Sequence, residues 1–454
     1  MTKDKTAAIV LAAGLGTRME SRLPKVLHPL AGRPMIGHLM ETLAGMDLER
    51  IVVVVGDDME AVAEAVAPHP TVVQKERLGT GHAVRTACEA VGGFDGTVLV
   101  LYADAPLISV ETLTRMIEAR RRAPRPAVVV LGFRPSDPGP YGRLIVGADG
   151  TLQAIVEAGD ATPGQGAIAL CNAGVMAIDG RPLPGLLARI GTDNAKGEVY
   201  LTDIVAMARG DGLTCAVVEG DEAELIGVNS RADLARAEAV VQQRLRAAAM
   251  AGGATLADPE TVYFSHDTRL GRDVTVGPHV VFGPGVAVGD DVEIRAFCHI
   301  EGARIATGAR IGPFARLRPG ADIAAEAHIG NFVEIKNTTV EAGAKINHLA
   351  YVGDSRVGAK ANVGAGTITC NYDGFAKHHT DIGAGAFIGS NTALVAPVTV
   401  GDGAIIGAGS VITGDVAADA LALTRADQEE LKGWAKRFRG RRSGRKAAPA
   451  KGGG

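Results

Sequence analysis

Aromatic residues are scarce in this chain of 454 residues: they make up 4% of it, with a single tryptophan, Trp434. An interior built on Phe and Tyr is therefore excluded, and Ile, Val, Leu and Ala must fill the cores. Cysteine is equally sparse, with five residues, Cys88, Cys171, Cys215, Cys298 and Cys370, and no CxxC spacing. An odd, dispersed set argues against a disulfide framework or a zinc site and points to reduced thiols in the cytoplasm. Runs of about 18 apolar residues are missing, and the N-terminal MTKDKTAAIVLAAG lacks the apolar core of a signal peptide. No membrane partner is expected. Nor does either charge prevail, since 47 Lys and Arg face 51 Asp and Glu for a formal net charge of −4, so nucleic acid is not an expected partner either. The exception is the tail after Trp434, AKRFRGRRSGRKAAPAKGGG, which concentrates cations without an apolar period and is expected to be disordered from about 435 to 454.

What the chain does have is a period of six. Leu270, Val276, Phe282, Val288, Ile294 and Ile300 open a series that continues, after a step of five, through Ile305, Ile311, Leu317, Ile323, Ile329 and Ile335. It closes with Ile382, Ile388, Leu394, Val400, Ile406 and Ile412. Neither an amphipathic helix nor an ordinary strand repeats at that interval. One inward aliphatic per hexad, often followed by Gly, describes short strands joined by tight turns, each rung burying its aliphatic on the last.

The period breaks between Ile368 and Ile382, where CNYDGFAKHHTD (370–381) is too polar for a solenoid core. Insertions of this kind form loops on one face of a repeat array and often carry its binding site.

The first half follows other rules. Residues 6–12 read as a buried strand entering the Gly-rich LAAGLGTRM (11–19), whose closely spaced glycines let the backbone approach a phosphate or base. The loop is neither a Walker A sequence nor a dinucleotide fingerprint. LPKVLHPLAGRPMI (23–36) then brings Lys25 close to Arg18, two cations suited to a triphosphate and a departing pyrophosphate. Strand patterns at 51–56, 72–74 and from 97 alternate with helical ones at 58–66 and 79–91, which implies a parallel, doubly wound sheet with ligands at the carboxyl ends of its strands. Asp104 lies at such an end and suits Mg²⁺, an ion that takes oxygen donors. Glu157 and Asn172 are the polar residues of the middle segment best suited to sugar hydroxyls or an N-acetyl group. Ser230 and Asp233 form a capping box that opens a connecting helix over 230–252, ended by Gly252 and Gly253. The expected domains are 1–229, the helix, and a solenoid from 253 onward.

Together the motifs LAAGLGTRM, LPK, QKERLGTGHA and GVN in the first half, and RLRPG, GNFVEIK, NHLAYVGD, NVGAGTITCNYDG, GS and VAPV in the second, resemble a known family over essentially the full length. It is the bacterial family of bifunctional N-acetylglucosamine-1-phosphate uridylyltransferases and glucosamine-1-phosphate N-acetyltransferases. The resemblance implies an α/β nucleotidyltransferase domain followed by a left-handed parallel β-helix of hexapeptide repeats, of roughly eight coils if three hexads make one. It implies acetyl transfer from acetyl-CoA to glucosamine-1-phosphate, then attack of the N-acetylglucosamine-1-phosphate formed on UTP, with Mg²⁺ present. By the same resemblance Leu11, Ala12, Ala13, Gly14, Gln74, Gly79 and Thr80 hold the nucleotide, Arg18 and Lys25 face its phosphates, and Asp104 and Asn229 bind Mg²⁺. Tyr102, Gly142, Glu157 and Asn172 meet the sugar. Ala103 stands where the family commonly has Gly. For acetyl transfer His348 is implied as the base, with Arg318, Lys336, Tyr351 and Asn362 around the sugar phosphate, Asn371 and Tyr372 as sugar-phosphate or acetyl-CoA contacts, and Ala365, Ser390, Ala408 and Arg425 on the coenzyme A side. The family forms homotrimers with sites between neighbouring solenoids.

Two rivals remain at this stage. The solenoid can serve only to regulate or trimerise a nucleotidyltransferase, or both halves can bind without turnover. His348 with Lys336 and Arg318 speaks against the first, and Lys25 with Asp104 against the second.

Overall fold

A computed structural model describes residues 5–91, 93–139 and 141–446. Two compact units emerge: Met1–Gly253 with Pro259–Thr268 and Phe282–Gly285, and Ala254–Asp258 with Arg269–Val281 and Val286–Gly454.

The first unit is built on a sheet whose main path runs Cys215–Glu219, Val128–Phe133, Cys171–Asp179, Thr97–Tyr102, Thr6–Leu11, Arg50–Gly56, Thr71–Gln74. Pairing is parallel except at Cys171–Asp179, which runs antiparallel to both of its neighbours, so the sheet is mixed rather than the wholly parallel one expected. Near-continuous Val, Ile and Leu runs mark strands covered on both faces. Alternate residues divide accordingly: Ile9, Val52, Val98 and Val100 belong to one buried cluster, and Val10, Val53, Leu99 and Leu101 to the other. Helix Thr80–Val91 covers the first face, and Met35–Ala44 and Val110–Arg121 the second.

Helix Arg231–Ala251 starts where the capping box lies, with Ser230 accepting from the Asp233 amide. It belongs to the first unit because Ala237 and Val241 pack with Leu30, Met35, Leu107 and Val228.

The second unit is a parallel β-helix of the left-handed hexapeptide class. One face is a ladder of ten short strands, and Val276, Ile294, Ile311, Ile329, Ile346, Val363, Ile388 and Ile406 stack inward along it, each at most 3% exposed. Burying one such side chain contributes about 1.5–3 kcal/mol, which is why the aliphatic hexad governs the fold. Corners demand left-handed backbone, and at one corner the chain supplies it with bulky residues: Phe297, Phe314, Phe332 and Leu349 lie at φ 50–61°. A non-Gly residue there costs energy, offset here by ring stacking of Phe297 on Phe314 at 4.8 Å and Phe314 on Phe332 at 5.1 Å.

The tail departs from expectation. Trp434–Lys446 is a helix, not a disordered stretch. Its Arg, Lys and Ala are good helix formers, and Trp434 stacks on Phe438 one turn later at 4.9 Å. Residues 447–454 lie outside the described residues. Among the described residues no helix is long and apolar enough to cross a membrane.

Candidate active sites

The first site opens at the carboxyl ends of the central strands. Leu11, Ala12, Ala13 and Gly14 leave strand Thr6–Leu11 and wall a cavity of about 250 Å³ with Lys25, Gln74, Gly79, Thr80, Tyr102 and Asp104. Gly79 adopts φ +112°, and a side chain there would strike the Val199 carbonyl, so the position requires glycine. Gln74 is buried, and its Nε2 donates to the Gly79 carbonyl at 3.1 Å. Thr80 accepts from the Leu201 amide at 3.1 Å.

Lys25 joins both proposed metal ligands. Its Nζ lies 2.5 Å from Asp104 Oδ2 and 3.2 Å from Asn229 Oδ1, so two oxygens from distant points of the chain converge. Oxygen donors of this kind fit Mg²⁺. Among the described residues no group of three His, Cys, Asp or Glu could hold a metal.

A cavity of about 260 Å³ shares Thr80, Tyr102 and Glu198 with the first and adds Glu157, Asn172, Tyr200 and Thr202. Burial pushes the Glu157 carboxyl up, against a hydrogen bond from Thr202 at 3.1 Å. Burial also raises the Tyr102 phenol, so that hydroxyl stays a donor at neutral pH. The Asn172 amide donates to the Gly142 carbonyl at 2.8 Å, and the Gly142 α-carbon faces Glu157. The sugar-side residues thus come together beside the nucleotide cavity.

Arg18 does not join them. It is exposed on the turn Thr17–Met19 and stands outside the wall of either cavity. Ala103 is fully buried in the apolar cluster behind the strand; its amide donates to the Leu11 carbonyl at 3.0 Å. Its methyl points away from the cavity, so alanine fits where the family commonly has glycine. Arg77, missed in the sequence, lines the cavity and donates to the Ala13 carbonyl at 2.8 Å and to Asp58 at 2.9 Å. A third cation beside the glycines was the available signal.

The second site lies along the β-helix. Strand Lys345–His348 ends at a corner, Leu349 turns, and strand Tyr351–Val357 begins the next face. His348 is exposed, and its Nδ1 sits 2.6 Å from Asn331 Oδ1 on the coil below. A carboxamide oxygen only accepts, so Nδ1 carries the hydrogen, and in the neutral ring the lone pair is on Nε2.

At the far end of that face the chain turns again at Asp354. Lys336 Nζ lies 3.4 Å from Asp354 Oδ2, and Asn371 Nδ2 reaches the same oxygen at 2.5 Å and the Tyr351 hydroxyl at 3.4 Å. Asp354 is held below the usual carboxylate range: burial works upward, but hydrogen bonds from Asn337 and Asn371 and the Lys336 charge outweigh it. Arg318 pairs with Glu334 at 2.9 Å on the neighbouring rung. The insertion adds Lys377, missed in the sequence, which lines a cavity of about 750 Å³ together with Lys336 and whose ammonium is pushed down by the hydrogen bond and charge of that adjacent neighbour. Two ammonium groups brought this close favour an anion beside them.

Tyr372 and Asn362 stand apart. The Tyr372 hydroxyl turns back onto the Gly374 carbonyl of its own loop, and Asn362 lies on the first face, above Lys345. The coenzyme A candidates form a column instead. Gly366 bonds to the Leu349 carbonyl, Asn391 to that of Ala365, Gly409 to that of Ser390, and Arg425 to that of Ala408, at 2.7–3.1 Å. That column rises from the corner next to His348.

Comparison with known proteins agrees with this division. Residues 8–171 match the MobA-like NTP transferase domain, and residues 267–302 and 379–414 match the bacterial transferase hexapeptide (six repeats). The bifunctional protein GlmU of Paramagnetospirillum magneticum is 68% identical over 98% of this chain and 99% of its own length. That of Rhodospirillum rubrum is 70% identical over 96% and 97%, and that of a Ruegeria species 54% identical over 98% and 100%. The chain therefore belongs to the GlmU family of bifunctional proteins and is an enzyme that joins a nucleotidyltransferase to an acetyltransferase.

Proposed function

We propose that His348 is the base for acetyl transfer to glucosamine-1-phosphate, and that the strand-end cavities of the other half then couple the product to UTP as UDP-N-acetylglucosamine. The observation that carries this reading is the alignment of His348, Tyr351 and the Lys336–Asp354–Asn371 cluster along one face.

In the first reaction the phosphate meets Lys336 and Lys377, with Arg318 beside them, and the sugar extends along the face toward His348. The ammonium first loses one proton to solvent; as the freed amine attacks the thioester carbonyl, His348 Nε2 takes a second proton from the nitrogen, and the C–S bond breaks with that proton passing to the thiolate. Acetyl-CoA follows the corner column of Ala365, Ser390, Ala408 and Arg425. The half-exposed stack of Phe297, Phe314 and Phe332 beside His348 is the apolar strip that a neighbouring copy covers in a homotrimer.

In the second reaction an oxygen of N-acetylglucosamine-1-phosphate attacks the α-phosphorus of UTP, and the bond to the β-phosphate breaks to release pyrophosphate. Positioning and charge neutralisation are the protein's task. Glu157, Asn172 and Tyr102 hold the sugar, residues 11–14 with Gln74, Gly79 and Thr80 hold the nucleotide, and Lys25 meets the phosphates. Mg²⁺ held by Asp104 and Asn229 would supply positive charge to the phosphate oxygens. The thiols and the lack of a spanning helix among the described residues suit a cytoplasmic enzyme.

The test is coenzyme A thiol release from acetyl-CoA with glucosamine-1-phosphate, alongside pyrophosphate release from UTP with N-acetylglucosamine-1-phosphate. Both are expected from the intact chain. Absence of thiol release would leave the β-helix without the acetyltransferase role.

A further inference from the structure

We propose that His82, acting with the Gly79 carbonyl, fixes the orientation of the Gln74 carboxamide and so makes the nucleotide site select a pyrimidine bearing a hydrogen at N3, uracil or thymine, against cytosine. The inference rests on the reading of this cavity as the site of UTP.

Gln74 is 4% exposed and ends strand Thr71–Gln74, where its side chain enters the cavity wall. Its Nε2 lies 3.1 Å from the Gly79 carbonyl oxygen and 3.1 Å from His82 Nδ1. The carbonyl can only accept, so the atom facing it is the amide nitrogen. The same nitrogen then offers its second hydrogen to His82 Nδ1, which must be the acceptor nitrogen of a neutral imidazole with its hydrogen on Nε2. Both amide hydrogens are engaged. Oε1 remains, and among the described residues no hydrogen bond occupies it.

A rigid acceptor reads bases by their donors. Uracil carries N3–H and can donate to Oε1. Cytosine has a lone pair at N3, which would face a second lone pair and leave both unsatisfied, the arrangement a buried site penalises most. The carboxamide is nearly symmetric in shape, so selectivity depends on what prevents it from flipping. Gly79 contributes half of that lock through its φ of +112°. His82, on the first turn of helix Thr80–Val91, contributes the other half, which makes it a positioning residue rather than a base-contacting one.

The experiment compares kcat/KM for UTP and CTP in the intact enzyme, His82→Leu, His82→Asn and Gln74→Leu, with equilibrium binding of each nucleotide measured in parallel. His82→Leu removes the acceptor and should lower the UTP-to-CTP ratio by about 10–100-fold. His82→Asn places an oxygen acceptor near the former Nδ1 and should restore most of the ratio, which a merely structural role would not predict. Circular dichroism and the unfolding midpoint of the sheet unit report the intact fold of each variant, and His82→Phe replaces the leucine variant should that one not fold. An unchanged ratio in His82→Leu, with the ratio lost in Gln74→Leu, overturns the role of His82; an unchanged ratio in both overturns the reading of Gln74. If the intact enzyme binds neither nucleotide and releases no pyrophosphate, the uridylyl reading itself has failed.

Discussion

The two candidate sites solve opposite problems of enclosure. The nucleotide site is walled within one unit: strand ends, a glycine loop and helix Thr80–Val91 close on adjoining cavities that share Thr80, Tyr102 and Glu198. The acetyl-transfer site is a strip along a convex rod, with His348 exposed at one end and the Lys336 cavity open at the other. A twisted sheet makes a crevice wherever its strands end. A β-helix has only flat faces and corners, so its chemistry must be laid out along them. His348 and the Lys336–Asp354–Asn371 cluster are therefore placed by coil register in one half, and Lys25, Asp104 and Asn229 by convergence of distant loops in the other.

The sharpest way to break that comparison is to disable each half alone. His348→Ala should lower thiol release by about 10²–10⁴-fold, the usual contribution of a positioned base, and leave pyrophosphate release unchanged. Lys25→Ala should lower pyrophosphate release by roughly 10²–10³-fold and leave thiol release unchanged. Loss of both reactions in either variant would show that the halves do not act as separate centres.

The two halves also differed in how much their sequence disclosed. The hexad revealed the β-helix because each inward aliphatic is read by the rung below it. The same regularity made the insertion with Asn371 visible as an interruption. Asn331, which orients His348, was not legible: it pairs with His348 only because one coil is 17 residues long there, and no local pattern marks it. In the sheet unit the strands were legible as apolar runs, but the antiparallel course of Cys171–Asp179 was not, because a buried strand reads alike in either direction. Arg18 was legible as a cation near Lys25, but its placement was not. Closeness to Lys25 along the chain says nothing about which way a loop turns, and the turn Thr17–Met19 leaves Arg18 outside the cavity wall.

If the strip is covered by a neighbouring copy, the two reactions should part on dilution. Acetyl transfer per mole of chain is expected to fall about 10-fold or more as sedimentation shows loss of the oligomer, while uridylyl transfer holds. Equal loss of both, or a monomer active in acetyl transfer, would remove the reason for the partner. A smaller effect is expected from Asn331→Ala. With its Nδ1 partner gone, His348 can present either nitrogen, so kcat for thiol release should drop by roughly 10-fold with little change in KM for the sugar phosphate. Asn331→Asp, which keeps an acceptor, should recover part of that rate.

The smallest effect concerns pH, and here the halves should carry opposite signs. Burial raises the Glu157 carboxyl above its ordinary value, so its charged form costs stability to the sheet unit above the folded pKa, and that cost is relieved as pH falls through it toward the ordinary carboxylate range. Asp354 is lowered by Asn337, Asn371 and Lys336 despite its burial, so it contributes stability above the unfolded pKa, which is lost as pH falls through the folded one. Glu157→Gln should therefore raise the unfolding midpoint of the sheet unit near pH 7 by on the order of 2 °C and converge with the parent in acid. Asp354→Asn should lower the midpoint of the β-helix near pH 7 and make its acid limb shallower. Calorimetric scans from pH 7 to pH 3, with the two units distinguished by added UTP and acetyl-CoA, decide the matter. Parallel pH responses in the two variants would mean that neither carboxylate is held as its surroundings indicate, because one environment removes a proton's affinity and the other adds to it.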